Sequence, residues 1–444
     1  MTLNLTKAKF TNYLHLREVF VFAMPIISGQ IGQMLFGVGD IFVAGFYSSL
    51  AVSAIGVGSS IFAAFLMIGF GVLFCTGPLA SQNRGANKED PNLLFNIFIV
   101  CAINSAILTT LLYIFSNYIH VIGLNPAIES PVALFIKISA FTVFPALISQ
   151  ATKEYLQAHG KTYFPNALII LFNLINLALG FLFVFGLGSF SGFGIIGVAI
   201  ATLICRILMA CILVAYMISV CKFDRRKNIK TIKIIYKLGL PIAFVIFCEV
   251  LIFTVVTVLV GRMSLVASAA QSLVLNITSL TFMIPLGIGS AVSVLVGEQL
   301  GKKSLEGIKK YSHAAIALAL IMQIFFALIY LIIPSSVLGL MSRDQTVIAY
   351  GAQLLFWVGL FQIPDGIQVV LSGVMRGLNE TKIPMFLGFM SYWIIGLPVG
   401  CFFAYQLNYE ARGLWMGLSL GLLCMSALLI ILYQRKIKKL SEAI

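Results

Sequence analysis

Twelve stretches, each long and apolar enough to cross a bilayer, occupy nearly the whole chain: residues 17–47, 51–79, 91–116, 131–153, 163–187, 194–220, 235–261, 266–297, 307–333, 346–373, 383–406 and 411–433. A spanning helix needs about 20 apolar residues, because each residue advances ~1.5 Å and the hydrocarbon layer is ~30 Å thick. Inside that layer every backbone amide must be paired within the protein, which leaves helices or closed barrels as the spanning structures. Runs of this length read as helix. The 444 residues are 60% hydrophobic and only 10% charged, against about 25% charged in a soluble domain. Such a chain cannot cover a water-facing surface, so its solvent is lipid. The expected fold class is an all-α integral membrane protein with twelve transmembrane helices. Several stretches exceed the needed length, which predicts tilt or kinks, the latter at Pro145, Pro285 and Pro364. Residues 1–16 are polar and basic, show no small-residue cleavage site, and are expected to lead directly into the first helix.

The formal net charge is +14, which by itself could point to nucleic acid. Its distribution excludes that partner. The N-terminus, the even-numbered loops and the C-terminal segment together hold 24 of the 29 Lys and Arg residues, including Arg84, Lys153, Lys161, Lys302, Lys303, a run from Lys222 to Lys237 and Arg435, Lys436, Lys438 and Lys439. The opposite side holds Arg262, Arg343 and Arg412, and Lys137 and Arg206 fall inside predicted helices. Basic residues accumulate on the cytoplasmic side of short loops, so both termini are expected in the cytoplasm and the number of spans is even.

The chain repeats itself. At a constant offset of 216, Pro25 matches Pro241, Gly45 matches Gly261, Ala51 matches Ala267, Gly71 matches Gly287 and Gly85 matches Gly301. At an offset of 219, Pro145 matches Pro364, Thr162 matches Thr381 and Pro165 matches Pro384. These coincidences divide the chain into a six-helix lobe at 1–220, a basic cytoplasmic linker at 221–234 and a second six-helix lobe at 235–444. Six spans is an even number, so both copies insert the same way round. The two lobes are expected to be related by a pseudo-twofold axis along the membrane normal, an arrangement found in transporters with a central site near the midplane.

An ionisable group within the bilayer is costly, and its default reading is functional. Three carboxylates fall inside predicted spans: Asp40, Glu249 and Asp365. Glu249 lies about mid-helix, Asp365 follows Pro364, and Asp40 lies among Gly37, Gly39 and Gly45, where a close approach of another helix or a ligand is expected. Asp40 shares its half with Lys137 and Arg206, so a structural ion pair is the alternative there. Glu249 and Asp365 have no cation at comparable depth in their own half. They must hold protons or bind a metal cation such as Na⁺. The repeat does not explain the acids: Glu249 corresponds to Gln33, Asp40 to Val256 and Asp365 to Ala146. Asn173, Asn176 and Thr202 are candidates for a polar cavity around Asp40, with an interhelical hydrogen bond the plainer role for Asn173.

The remaining chemistry is sparse. The eight cysteines form no CxxC motif and the four histidines no ligand cluster, so they read as packing residues. No phosphate-binding glycine loop or serine nucleophile motif occurs, and no cofactor and no enzymatic activity are expected.

Taken with the twelve spans and the duplication, four segments give the chain a resemblance to the multidrug and toxic compound extrusion (MATE) family over essentially its whole length. They are the run from Pro25 to Gly45 containing Asp40, PLASQNRGA at 78–86, VGEQLGKK at 296–303 and VMRGLNETKIP at 374–384. The resemblance implies two six-helix lobes alternating access across a bacterial cytoplasmic (inner) membrane. It implies a monomer that exports cationic or amphipathic organic compounds in exchange for Na⁺ or H⁺, with export of a lipid-linked precursor by a flippase as the alternative. Glu249 and Asp365 resemble the cation site of the NorM branch, while Asp40, Asn176 and Thr202 match the polar cluster of the N-terminal lobe. Two positions depart from the family pattern: Gly180 stands where an Asp or Asn is common, and Phe361 where a Tyr is common.

Overall fold

The computed structural model describes residues 2–124, 126–188 and 191–443; Met1, Asn125, Ser189, Phe190 and Ile444 lie outside the described residues. The described chain forms helices and no strand. In order these are α1 (Thr2–Tyr47), α2 (Ser49–Leu73), α3 (Thr76–Gly85), α4 (Leu93–Asn117), α5 (Pro126–Ala140), α6 (Val143–Ala158), α7 (Tyr163–Phe185), α8 (Ile196–Val220), α9 (Ile229–Gly261), α10 (Leu265–Gly301), α11 (Leu305–Ile332), α12 (Pro334–Gly339), α13 (Gln345–Gly377), α14 (Lys382–Phe389), α15 (Leu397–Cys401) and α16 (Glu410–Ala443). Two π-helical stretches, Met390–Gly396 and Phe402–Gln406, flank α15 and make one continuous span from Lys382 to Gln406. Among the described residues eleven helices have the length and hydropathy to cross a membrane; α5 and α6, bent by 46°, pass the same test together and bring the number to twelve when counted as one span.

Local chemistry sets the ends of these helices. Ser48 and Ser264, also 216 apart, take extended backbone angles, and their hydroxyls accept the Ala51 and Ala267 N–H at 3.1 and 3.0 Å. The duplication is therefore visible atom by atom in two matching N-caps. Asp344 caps α13 in the same way, and its carboxyl is held below the usual range by the Thr346 hydroxyl and the Thr346 and Val347 amides. The bend in the fourth span falls at Phe141–Thr142, not at Pro145 as the sequence suggests. Pro145 is the third residue of α6, where its missing N–H would have had no helical partner. Pro285 and Pro364 lie inside α10 and α13, which run on through them.

Packing divides the chain into two compact units. One, here the N-unit, comprises Ser28–Ala80 and Lys88–Ala243; the other, the C-unit, comprises Met1–Ile27, Ser81–Asn87 and Phe244–Ile444. The sequence repeat and the packing units are different divisions of the chain. α1 and α9 each contribute to both units, and each changes unit two residues after a proline: after Ile27, following Pro25, and after Ala243, following Pro241. The basic segment 221–234 is helical from Ile229 onward.

In the N-unit the start of α9 is built in closely. A methyl on Gly239 would overlap the Val72 carbonyl, and Tyr236 donates to Asn104 at 3.1 Å. The C-unit has a large apolar core in which Trp415, Leu354, Leu355 and Val358 are shut off from solvent. Three of the four segments that carry the family resemblance meet in this unit. Arg84 pairs with Glu298, Lys302 pairs with Glu298 at 2.6 Å, and Gln82 donates to the Gly377 carbonyl at 2.9 Å and to Asn379 at 3.1 Å.

Candidate functional site

Asp40 in the N-unit is buried near the C-terminal end of α1, and α7 and α8 bring Asn176 and Thr202 to it. The Asn176 amide donates to Asp40 Oδ1 at 3.0 Å. The Thr202 hydroxyl lies 3.0 Å from Asp40 Oδ1, 3.2 Å from Oδ2 and 3.1 Å from Asn176 Oδ1. A threonine hydroxyl carries one proton. If it donates to an ionised Asp40, the Asn176 carbonyl is left without a donor in this ring. If Asp40 carries a proton, the ring closes: Asn176 donates to Asp40, Asp40 to Thr202 and Thr202 to Asn176. The arrangement thus accommodates a neutral carboxylic acid with every member satisfied.

The ion-pair alternative is met only at a distance. Among the described residues no salt bridge reaches Asp40. Arg206 acts on Asp40 through its charge but lies over the Phe36 ring at 5.1 Å, and Lys137 lies over the Tyr113 ring at 5.4 Å. Asn173 does not join the Asp40 ring. Its amide donates to the carbonyls of Gly32 at 2.7 Å and Ile169 at 2.8 Å, which ties α7 to the backbone of α1. A Cβ on Gly37, Gly39 or Gly45 would meet nothing within 4 Å, so of the two expected neighbours, a helix or a ligand, no helix packs on these glycines and they border open space. Gly180 packs against Val43 instead of adding a polar group.

In the C-unit Glu249 of α9 and Asp365 of α13 both reach a third residue. The Gln368 amide reaches Glu249 at 3.4 Å and Asp365 at 3.3 Å, and the Tyr392 hydroxyl donates to Glu249 at 3.4 Å. Asp365 and Gln368 are buried on one face of α13. Tyr392 lies in the π-helical stretch, a geometry that often marks functional sites. Trp393 beside it donates to the Cys248 carbonyl at 3.3 Å, one residue from Glu249. Phe361, where the family pattern has a tyrosine, stacks on Trp415 at 5.7 Å; Tyr392 brings a hydroxyl to the acids from another helix. Neither acid has a salt bridge among the described residues. Two carboxylates this close disfavour a second charge, so the pair suits a proton or a hard monovalent cation. Its oxygens, with those of Gln368 and Tyr392, are the donors such a cation takes. Among the described residues no group of three or more His, Cys, Asp and Glu side chains forms a metal site.

Sequence reasoning missed Gln368 and Tyr392. For Gln368 a signal existed, since it follows Asp365 by three residues and shares its helical face; for Tyr392 none did. It also misplaced Lys153 and Glu154. Lys153 is assigned to a loop by the sequence, yet it and its neighbour Glu154 lie within α6 with 1% of their surface exposed.

A many-span helical membrane protein whose two packing units each hold intramembrane carboxylates without a salt bridge among the described residues has the character of a transporter. The MatE family model matches residues 25–182 and 241–402. The chain belongs to the MatE family, a family of transporters and not of enzymes. It is 28% identical over 395 residues to the multidrug resistance protein NorM of Photobacterium profundum, covering 86% of each chain. It is 27% identical over 430 residues to the multidrug resistance protein MdtK of Pectobacterium atrosepticum, covering 93% of this chain and 94% of that one. Its fold matches the crystal structure of the eukaryotic MATE transporter AtDTX14 with a TM-score of 0.87 at 20% identity, covering 98% of this chain and 99% of that chain.

Proposed function

We propose that this protein is an antiporter of the bacterial cytoplasmic membrane. In this reading it exports cationic or amphipathic organic compounds by alternating access, in exchange for H⁺ or Na⁺ admitted at buried carboxylates. The observation that supports this reading is the Glu249–Asp365 pair, bridged by Gln368 and without a salt bridge among the described residues. Such a pair gains from a bound cation or proton and loses when emptied, which is what couples an ion gradient to a conformational cycle. The Asp40–Asn176–Thr202 ring offers a second place for a proton. The names of the relatives, multidrug resistance proteins, support the substrate class, and the crowding of Lys and Arg on one side supports cytoplasmic termini.

The test is efflux of a fluorescent organic cation from proteoliposomes under separately imposed Na⁺ and pH gradients. Flux driven by either gradient, and lost in Asp365→Asn, is the expected result. Sodium-driven flux makes the pair a Na⁺ site, and proton-driven flux makes it a proton carrier. Absence of flux under both gradients overturns the antiporter reading in favour of the lipid-precursor flippase.

A further inference from the structure

The polar face of α6 has no place in the mechanism above. Gln150, Lys153, Glu154 and Gln157 recur at the three- and four-residue spacing that aligns side chains along a helix, and each is at most 1% exposed. Gln33 of α1 is half-buried and donates to Gln150 at 3.0 Å, and Gln150 donates to Glu154 at 3.0 Å. The first and fourth spans run antiparallel, so the turn of α1 before Gln33 faces the turn of α6 after Gln150. That places Gln30 opposite Lys153 and Glu154. Asn166, at the start of α7, marks the same level, because its amide lies where a Cβ on Gly29 would stand.

Five buried polar atoms here have no hydrogen-bond partner among the described residues: Gln30 Nε2, Lys153 Nζ, both amide atoms of Gln157 and Asn166 Oδ1. Buried polar groups are almost always paired, with ordered water where protein groups do not suffice. A single orphan is an exception; five on facing turns of three helices indicate a hydrated space. The donor set also identifies the occupant. Lys153 repels a cation and Glu154 repels an anion, while the orphans include both donors and acceptors. A small neutral dipole that donates and accepts fits all of them.

We propose that this cluster is a second, hydrated proton site of the N-unit: ordered water fills the space among Gln30, Lys153, Gln157 and Asn166, and the Glu154 carboxylate exchanges a proton with it. In the step, water delivers a proton to one Glu154 oxygen and later takes it back; no other bond changes, and Lys153 keeps its ammonium. Gln150 and Gln33 extend the polar line away from Glu154 towards the half-buried end of the chain of amides. The elements packed against α6 contribute two thiols, Cys75 just after α2, which feels the charge of Glu154, and Cys101 on α4. α1 and α7 contribute amides, and α8 turns Met209, Leu213 and Met217 inward at this end. The titrating carboxylate of the cluster is therefore Glu154. The site does not depend on Asp40 coupling transport.

The experiment is infrared titration of the full-length protein in nanodiscs, following the carbonyl stretch of protonated carboxyl groups in H₂O and D₂O. The expected result is a deuterium-sensitive band that grows as pH falls, persists in Asp40→Asn, Glu249→Gln and Asp365→Asn, and disappears in Glu154→Gln. Lys153→Met should move its midpoint upward by about 1–3 pH units, because removing a neighbouring cation favours the protonated acid. A band set in Glu154→Gln identical to the wild type overturns the proposal, as does insensitivity of the wild-type bands to D₂O. Should Glu154→Gln fail to fold, an unmoved midpoint in Lys153→Met overturns it equally.

Discussion

Asp365 and Gln368 stand three residues apart on one buried face, and a single amide is shared between two acids. That sharing makes the acids unequal. Asp365 is buried and touches only the amide, whereas Glu249 is half-buried and also receives the Tyr392 hydroxyl. Asp365→Asn keeps the shape and removes the ionisable group. Gradient-driven export should be abolished while the protein remains inserted; wild-type export by this variant would remove Asp365 from the coupling site. Tyr392→Phe removes one long hydrogen bond, typically about 0.5–1.5 kcal/mol. It should weaken coupled export by about two- to tenfold, read as a shift in the ion concentration for half-maximal flux. An unchanged ion dependence would show that Tyr392 only packs. The three acids were readable in the sequence because charge inside an apolar run stands out. Gln368 and Tyr392 were not, because amides and phenols occur in spans for packing alone. Lys153 and Glu154 were misread because α6 runs to Ala158, five residues past the predicted end of its span.

The span from Lys382 to Gln406 shows what an element must do to present Tyr392. Its π-helical turns pack on α16 through a seam of glycines, Gly396 and Gly400 on one side and Gly413, Gly417 and Gly421 on the other. A Cβ at Gly417 would overlap the backbone of Gly400, and one at Gly421 would press on the Ser391 carbonyl. Small residues allow such close helix approach in lipid. Gly417→Leu should therefore lower the thermal midpoint and the yield of folded protein, while Gly39→Ala, facing open space, should leave both unchanged. Equal tolerance of the two would mean that the seam is not a close contact. The caps offer a second check at this scale. Ser264→Ala should cost about 1 kcal/mol, measurable as a lower thermal midpoint. Helix identity and the repeated glycines and prolines were legible in the sequence. It carried no sign of the π-turns, which are set by packing against α16, nor of where the fourth span bends, since Pro145 can sit in a first turn at no cost.

At the scale of the molecule, duplication and packing follow different lines. The matching offset of 216 predicts two lobes meeting at a basic linker. The packing units instead take in pieces from both repeats. Composition could not reveal this, because residues 229–243 and 1–27 look like any other cytoplasmic helix start. What assigns them is contact: Tyr236 on Asn104 and Gly239 on Val72 in the N-unit, and Val19, Ala23 and Ile26 in an apolar cluster of the C-unit.

This exchange of helix ends bears on how the gene can be divided. A fragment ending at residue 220 lacks the segment 229–243 that completes its own unit, and a fragment beginning at 221 lacks residues 1–27 and 81–87. Expressed alone, each should be degraded by the quality-control proteases of the membrane; expressed together, they should complement one another and restore export. The two halves, alike as they are in sequence, would on this reading need one another to fold, and separate accumulation of either fragment would overturn it.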